Sequence, residues 1–87
     1  MSQIEKLIEK MQNYRSGNPI EFSEIEKYLI YYGFEEKNQS GTSHIIFTHK
    51  YLNRPFPIPK HGNKVKAVYV KKAVELVEWV KEKEGEL

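Results

Sequence analysis

The sequence predicts an α+β fold in which helices cover a three-stranded antiparallel sheet. Three observations point there. Apolar residues recur at helical spacing near both ends of the chain and between residues 23 and 32. Two short β-rich runs flank a polar cluster that contains glycine, and a run with proline at every second position follows them. Eighty-seven residues support one compact core and leave no room for a separate cofactor domain, so residues 1–87 are read as a single domain. With 39% apolar residues, 30% charged residues and eleven aromatics, the chain has the composition of a folded protein rather than a disordered tail.

Taken in order, Ser2 and Glu5 form a capping box ahead of Ile4, Leu7, Ile8, Met11 and Tyr14, which predicts a first helix over residues 2–14. The glycine and proline of residues 15–19 end it. Ser23 and Glu26 form a second box ahead of Ile25, Tyr28, Leu29 and Tyr32. That helix closes at Gly33, which takes the left-handed C′ position without steric cost while Phe34 packs back on Leu29. Residues 34–37 and 43–49 flank the polar cluster 38–41 as a β-hairpin, with Ile45 and Phe47 on one face and His44, Ile46 and Thr48 on the other.

Residues 54–59 hold three prolines, which normally argue against a strand. Their alternation puts every missing amide on one side, so Phe56 and Ile58 keep their donors for a neighbour and the segment reads as an edge strand. Residues 61–63 form a turn. A last helix then carries Val70, Ala73, Val74, Val77 and Val80, with Leu76 and Trp79 broadening the stripe. Its start lies between Val65 and Tyr69, and residues 81–87 are expected to fray.

The net charge of +2 conceals a two-sided distribution. Between residues 37 and 74 stand Lys37, Lys50, Arg54, Lys60, Lys64, Lys66, Lys71 and Lys72 with no acidic residue, so this window carries +8 and the remainder −6. All three histidines, His44, His49 and His61, lie inside the window. An anionic partner is favoured, most simply a phosphate backbone; the alternative is that the lysines solvate one face.

With no cysteine, disulfides, thiolate metal sites and cysteine nucleophiles are excluded, and a reducing compartment is expected. Charges at the amino terminus and a longest apolar run of only residues 29–32 argue against a signal peptide or membrane span, so a cytoplasmic protein without membrane partners is expected. The histidines lack close ligand spacing, so no metal site is expected. His49 is read as a solvated surface residue. Trp79 is read as core packing or a protein contact. Tyr28, Tyr31 and Tyr32 offer rings for stacking on unpaired bases, although most of them are expected in the core. Ser43 has no acid–base relay nearby, which favours hydroxyl contact with the hairpin turn or with phosphate.

The run Gly41-Thr42-Ser43-His44-Ile45-Ile46-Phe47 opening the second strand, and Ile58-Pro59-Lys60-His61-Gly62 closing the third, together with a basic final helix, resemble the HicA toxin family. Residues 22–80 match that pattern in order and spacing. The resemblance implies the α-β-β-β-α fold of double-stranded-RNA-binding domains, here with an additional N-terminal helix. It implies a metal-independent ribonuclease that needs no cofactor, cuts messenger RNA and is silenced by a HicB-like antitoxin, with His44 in the place of the catalytic histidine. Lys37, Gly41, Ser43, Lys60, His61, Lys64, Lys66, Lys71 and Lys72 are the expected RNA-binding residues, His61 as a phosphate donor or turn residue. A non-catalytic RNA-binding module of the same fold is the alternative.

Overall fold

The computed structural model describes residues 3–14, 19–38, 44–60 and 62–85. Helix α1 (Gln3–Gln12) is followed by a two-residue strand β1 (Ile20–Glu21) and helix α2 (Phe22–Tyr31). Strands β2 (Glu35–Asn38), β3 (His44–Thr48) and β4 (Phe56–Pro59) form one antiparallel sheet in the order β2-β3-β4. Strand β5 (Lys64–Val65) pairs with β1, and helix α3 (Ala67–Gly85) closes the chain's described part. The α+β class and the three-stranded sheet are therefore as expected. The β1–β5 ladder is additional, and so short that no alternation of residues could announce it.

The core lies between the helices and one face of the sheet. Leu7 and Met11 from α1, Ile25, Tyr28 and Leu29 from α2, and Val70, Ala73, Val77 and Val80 from α3 are buried together with Phe47, Phe56 and Ile58 of the sheet. The α3 set recurs at i, i+3, i+7 and i+10, one narrow stripe of the helix. Leu76 flanks this stripe half-buried, and Trp79 is 37% exposed, so Trp79 is not core packing. The end expected to fray is helical through Gly85.

Helix α2 begins earlier than its sequence suggests. Its N-cap is Glu21, whose N–H is accepted by Glu24 Oε1 at 3.0 Å, so Glu21 and Glu24 take the positions expected of Ser23 and Glu26. Tertiary contacts fix this start: Phe22 is buried with its ring centroid 6.3 Å from that of Phe47, and its N–H donates to the Asn63 carbonyl at 2.7 Å. Lys10 Nζ reaches Glu24 Oε2 at 2.7 Å and ties α1 to the same cap. Burial raises the Glu24 pKa, but the Glu21 amide and the Lys10 ammonium outweigh it and hold the carboxyl below its usual value. The box expected at Ser2 lies outside the described residues.

The other end of α2 is as expected. Gly33 has φ +92°, its N–H donates to the Ile30 carbonyl at 3.0 Å, and the Phe34 N–H donates to Leu29 at 3.1 Å, the paired bonds of a Schellman cap. Phe34 and Leu29 are both buried. Against this cap sits His49, which is 8% exposed rather than solvated. Its Nδ1 accepts the Tyr51 N–H at 3.2 Å, so its Nε2 carries the proton and donates to the Tyr32 carbonyl at 3.1 Å. His49 is a structural residue that joins the end of β3 to the end of α2.

Candidate functional site

Register decides which face each sheet residue occupies. His44 pairs with Pro59, Ile46 with both Lys37 and Pro57, and Thr48 with Glu35. These residues stand on the face opposite Phe47 and Phe56, away from the helices. Phe56 and Ile58 pair with Phe47 and Ile45, so the amide-less Pro57 and Pro59 take the positions where no ladder donor is needed, and β4 is the expected edge strand. His44 is exposed at the first position of β3. Lys37, also exposed, is its diagonal neighbour on that face.

Pro59, the partner of His44, is one wall of a cleft of about 250 Å³ lined otherwise by Lys64, Val65, Lys66 and Tyr69. Two of the expected RNA-binding lysines thus meet beside the strand pair that carries His44. The cleft also opens at the start of α3, whose first turn holds no acidic residue to offset the positive end of the helix dipole. Lys64 has Glu21 across the β1–β5 ladder. Two lysines and a helix N-terminus around one cleft suit an anionic ester, and the His44 imidazole stands one ladder partner away, across from Pro59.

The remaining candidates are placed elsewhere. Lys60 directs its ammonium to the helix side, 5.2 Å from the centroid of the Phe22 ring. There it faces Glu36, whose pKa is pushed up to about 7 by burial and by the neighbouring Glu26 carboxyl, with Lys60 opposing the rise. Lys71 is exposed on α3. Lys72 lines a second cleft of about 560 Å³ with Arg54, Pro55, Phe56, Leu76 and Trp79 among its walls. Gly41, Ser43 and His61 lie outside the described residues.

Of Tyr28 and Tyr31 on α2 and Tyr32 at its C-cap, Tyr28 is fully buried, its ring edge-on to Tyr32 at 5.3 Å between centroids, and only Tyr31, 58% exposed, presents most of its surface. Burial also raises the Tyr28 pKa. Sequence reasoning missed Tyr69, because it lay in the uncertain start of α3. The available signal was an aromatic three residues after Lys66 inside a window without acids. Among the described residues, no three His, Cys, Asp or Glu side chains cluster to hold a metal, and no helix is long and apolar enough to cross a membrane.

Comparison with known proteins gives a family match. The family model described as the HicA toxin of bacterial toxin-antitoxin covers residues 22–79, two thirds of the chain, from the first residue of α2 to Trp79 on α3. No curated protein and no solved structure matches. Helix α1 lies outside the matched region, whereas the hairpin, His44 and the Pro59 cleft all lie within it. By that match the chain belongs to the HicA toxin family, the toxin component of toxin–antitoxin pairs.

Proposed function

We propose that the protein is a metal-independent endoribonuclease that cleaves messenger RNA, with His44 as general base, and that a HicB-like antitoxin neutralises it. The observation that carries this reading is the placement of His44, exposed on the open face and paired with Pro59, the residue that walls the Lys64–Lys66 cleft. Neutral imidazole removes the proton of a ribose 2′-hydroxyl, and the 2′-oxygen attacks the adjacent phosphorus. The bond from phosphorus to the 5′-oxygen breaks. That oxygen leaves with a proton from water, giving a 2′,3′-cyclic phosphate and a 5′-hydroxyl end.

Negative charge builds on the phosphorane oxygens during attack, and fixed cations stabilise it most in a partly enclosed site. Lys37 on the open face and Lys64 and Lys66 at the cleft are proposed for that role; Lys71 and Lys72 extend the RNA-binding set along α3, and Lys60 adds its charge from the helix side of the sheet. Gly41, Ser43 and His61 complete the proposed RNA-binding set from the two segments that flank the site in sequence. General-base assistance of this kind is worth roughly 10²- to 10⁴-fold in rate. No step requires a metal or a cofactor.

The test is cleavage of single-stranded RNA in EDTA by the wild type and by His44→Ala. The wild type is expected to cut, and the variant to lose cutting with its circular dichroism spectrum intact. Continued cutting by the folded variant removes His44 from the mechanism. Tight, salt-sensitive binding without any shortened product favours the non-catalytic module instead.

A further inference from the structure

The family's chemistry needs only a phosphate next to His44, yet two aromatic side chains with accessible surface stand on the same face of α3. Tyr69 and Trp79 are ten residues apart, with Lys72 and Leu76 between them at helical spacing, i, i+3, i+7 and i+10. Tyr69 belongs to the cleft walled by Pro59, at the end of β4, and Trp79 to the cleft walled by Phe56, at its start. Helix α3 therefore runs antiparallel to the edge strand β4, and the two clefts mark the ends of one seam. Ten residues of helix span about 15 Å.

The charges along this seam have one dominant sign. Lys64 and Lys66 line the Tyr69 cleft, Arg54 and Lys72 line the Trp79 cleft, and Glu75 is the single carboxylate in the two linings. Lys83 Nζ adds a cation 5.4 Å from the centroid of the Trp79 ring. A positively charged groove interleaved with aromatic faces is the arrangement that holds an unpaired nucleic-acid strand, with cations on its phosphates and rings on its bases.

We infer that the α3–β4 seam is the track for an unpaired RNA strand, with Tyr69 stacking on a nucleobase beside the scissile linkage and Trp79 on a base farther along the strand. This rests on the ribonuclease reading and adds how the substrate is held. The enzyme selects single strands because duplexed bases have no free face to offer Tyr69 and Trp79. Preference among bases is weak, since every base has a π face.

Trp79 is the only tryptophan, so its fluorescence reports directly on the far end of the track. The experiment titrates uncleaving His44→Ala protein with single-stranded oligoribonucleotides of two and six nucleotides, following Trp79 fluorescence and the anisotropy of a labelled six-mer. The six-mer is expected to quench Trp79, and the dinucleotide to leave it unchanged. Tyr69→Leu and Trp79→Leu, which keep apolar bulk and remove the π face, are each expected to weaken six-mer binding roughly 5- to 100-fold. Tyr69→Phe restores it. The salt slope separates stacking from charge: both leucine variants keep it, whereas Lys72→Ala lowers it by about 0.7.

Six-mer binding with unquenched Trp79 and with affinity unchanged in both leucine variants overturns the track and leaves the ribonuclease reading standing. A Trp79 signal that responds to a HicB-like antitoxin and never to RNA also overturns it, and makes this face a protein interface. If the folded protein binds neither oligonucleotide at low salt, the ribonuclease reading falls together with the track.

Discussion

Lys37 and His44 stand on the same open face of the sheet, one diagonal step apart across the β2–β3 ladder. Lys60, although only one residue beyond the partner of His44, points to the opposite side, its ammonium over the Phe22 ring and within electrostatic reach of the Glu36 carboxyl. The two lysines should therefore differ. Lys37→Ala is expected to weaken RNA binding and lower the slope of log affinity against log salt by about 0.7, while Lys60→Ala has a smaller effect. Anisotropy titrations at four salt concentrations check this, and equal effects would show that orientation across the sheet does not matter.

Glu36 gives the protein a pH dependence opposite in sign to that of a typical salt-bridged carboxylate. Its pKa is about 7 in the fold against an ordinary value of 4.5, so the folded state binds more protons than the unfolded state between those values. Stability falls as pH rises through that window and levels off above it. Glu36→Gln is expected to raise the melting temperature at pH 8 and to differ little from wild type at pH 4.5. The groups facing it, Glu26 and Lys60, set the size of the effect, and thermal melts across that range measure it.

The C-terminal cap of α2 depends on two residues that share one space. A Cβ at Gly33 would lie 3.2 Å from His49 Nε2, and the backbone there has φ +92°. Gly33→Ala is expected to cost about 1–2 kcal/mol from the left-handed conformation alone. His49→Ala leaves the Tyr32 carbonyl and the Tyr51 N–H without their partner and should cost about 2–4 kcal/mol. In urea denaturation the double variant should lose less than the sum, because removing the imidazole relieves the contact made by the new methyl.

At the other end of α2, Glu24→Ala removes both the acceptor for the Glu21 N–H and the partner of Lys10. A loss of about 1 kcal/mol is expected at pH 7. Since the Glu24 pKa is lowered in the fold, its contribution is present above the ordinary carboxylate value and disappears as pH falls through the folded one. Chemical denaturation at pH 7 and at stepwise lower pH should show the difference between variant and wild type shrinking as the pH falls.

What could be seen in the sequence was whatever depends on near neighbours. Alternating prolines at 55, 57 and 59 marked β4 as an edge, Gly33 marked the end of α2, and alternation put His44 opposite Ile45 and Phe47. What could not be seen depends on contacts across the fold. His49 is tied to a carbonyl seventeen residues away, and α2 starts where Phe22 meets Phe47 and Asn63, capped by Glu21 and Glu24 rather than by Ser23 and Glu26. Trp79 fits the apolar stripe of α3 by spacing, but Val77 and Val80 occupy the buried positions and leave it at the margin. The meeting of Lys64, Lys66 and Tyr69 with Pro59 required knowing where α3 begins.

The chemistry of the cut ends decides whether His44 activates a ribose 2′-hydroxyl. Mass spectrometry of a short RNA incubated with the protein in EDTA should find 2′,3′-cyclic phosphate and 5′-hydroxyl termini with the wild type and intact RNA with His44→Ala. Termini bearing 5′-phosphate and 3′-hydroxyl, or cyclic phosphate still produced by the variant, would contradict a 2′-hydroxyl activated by His44.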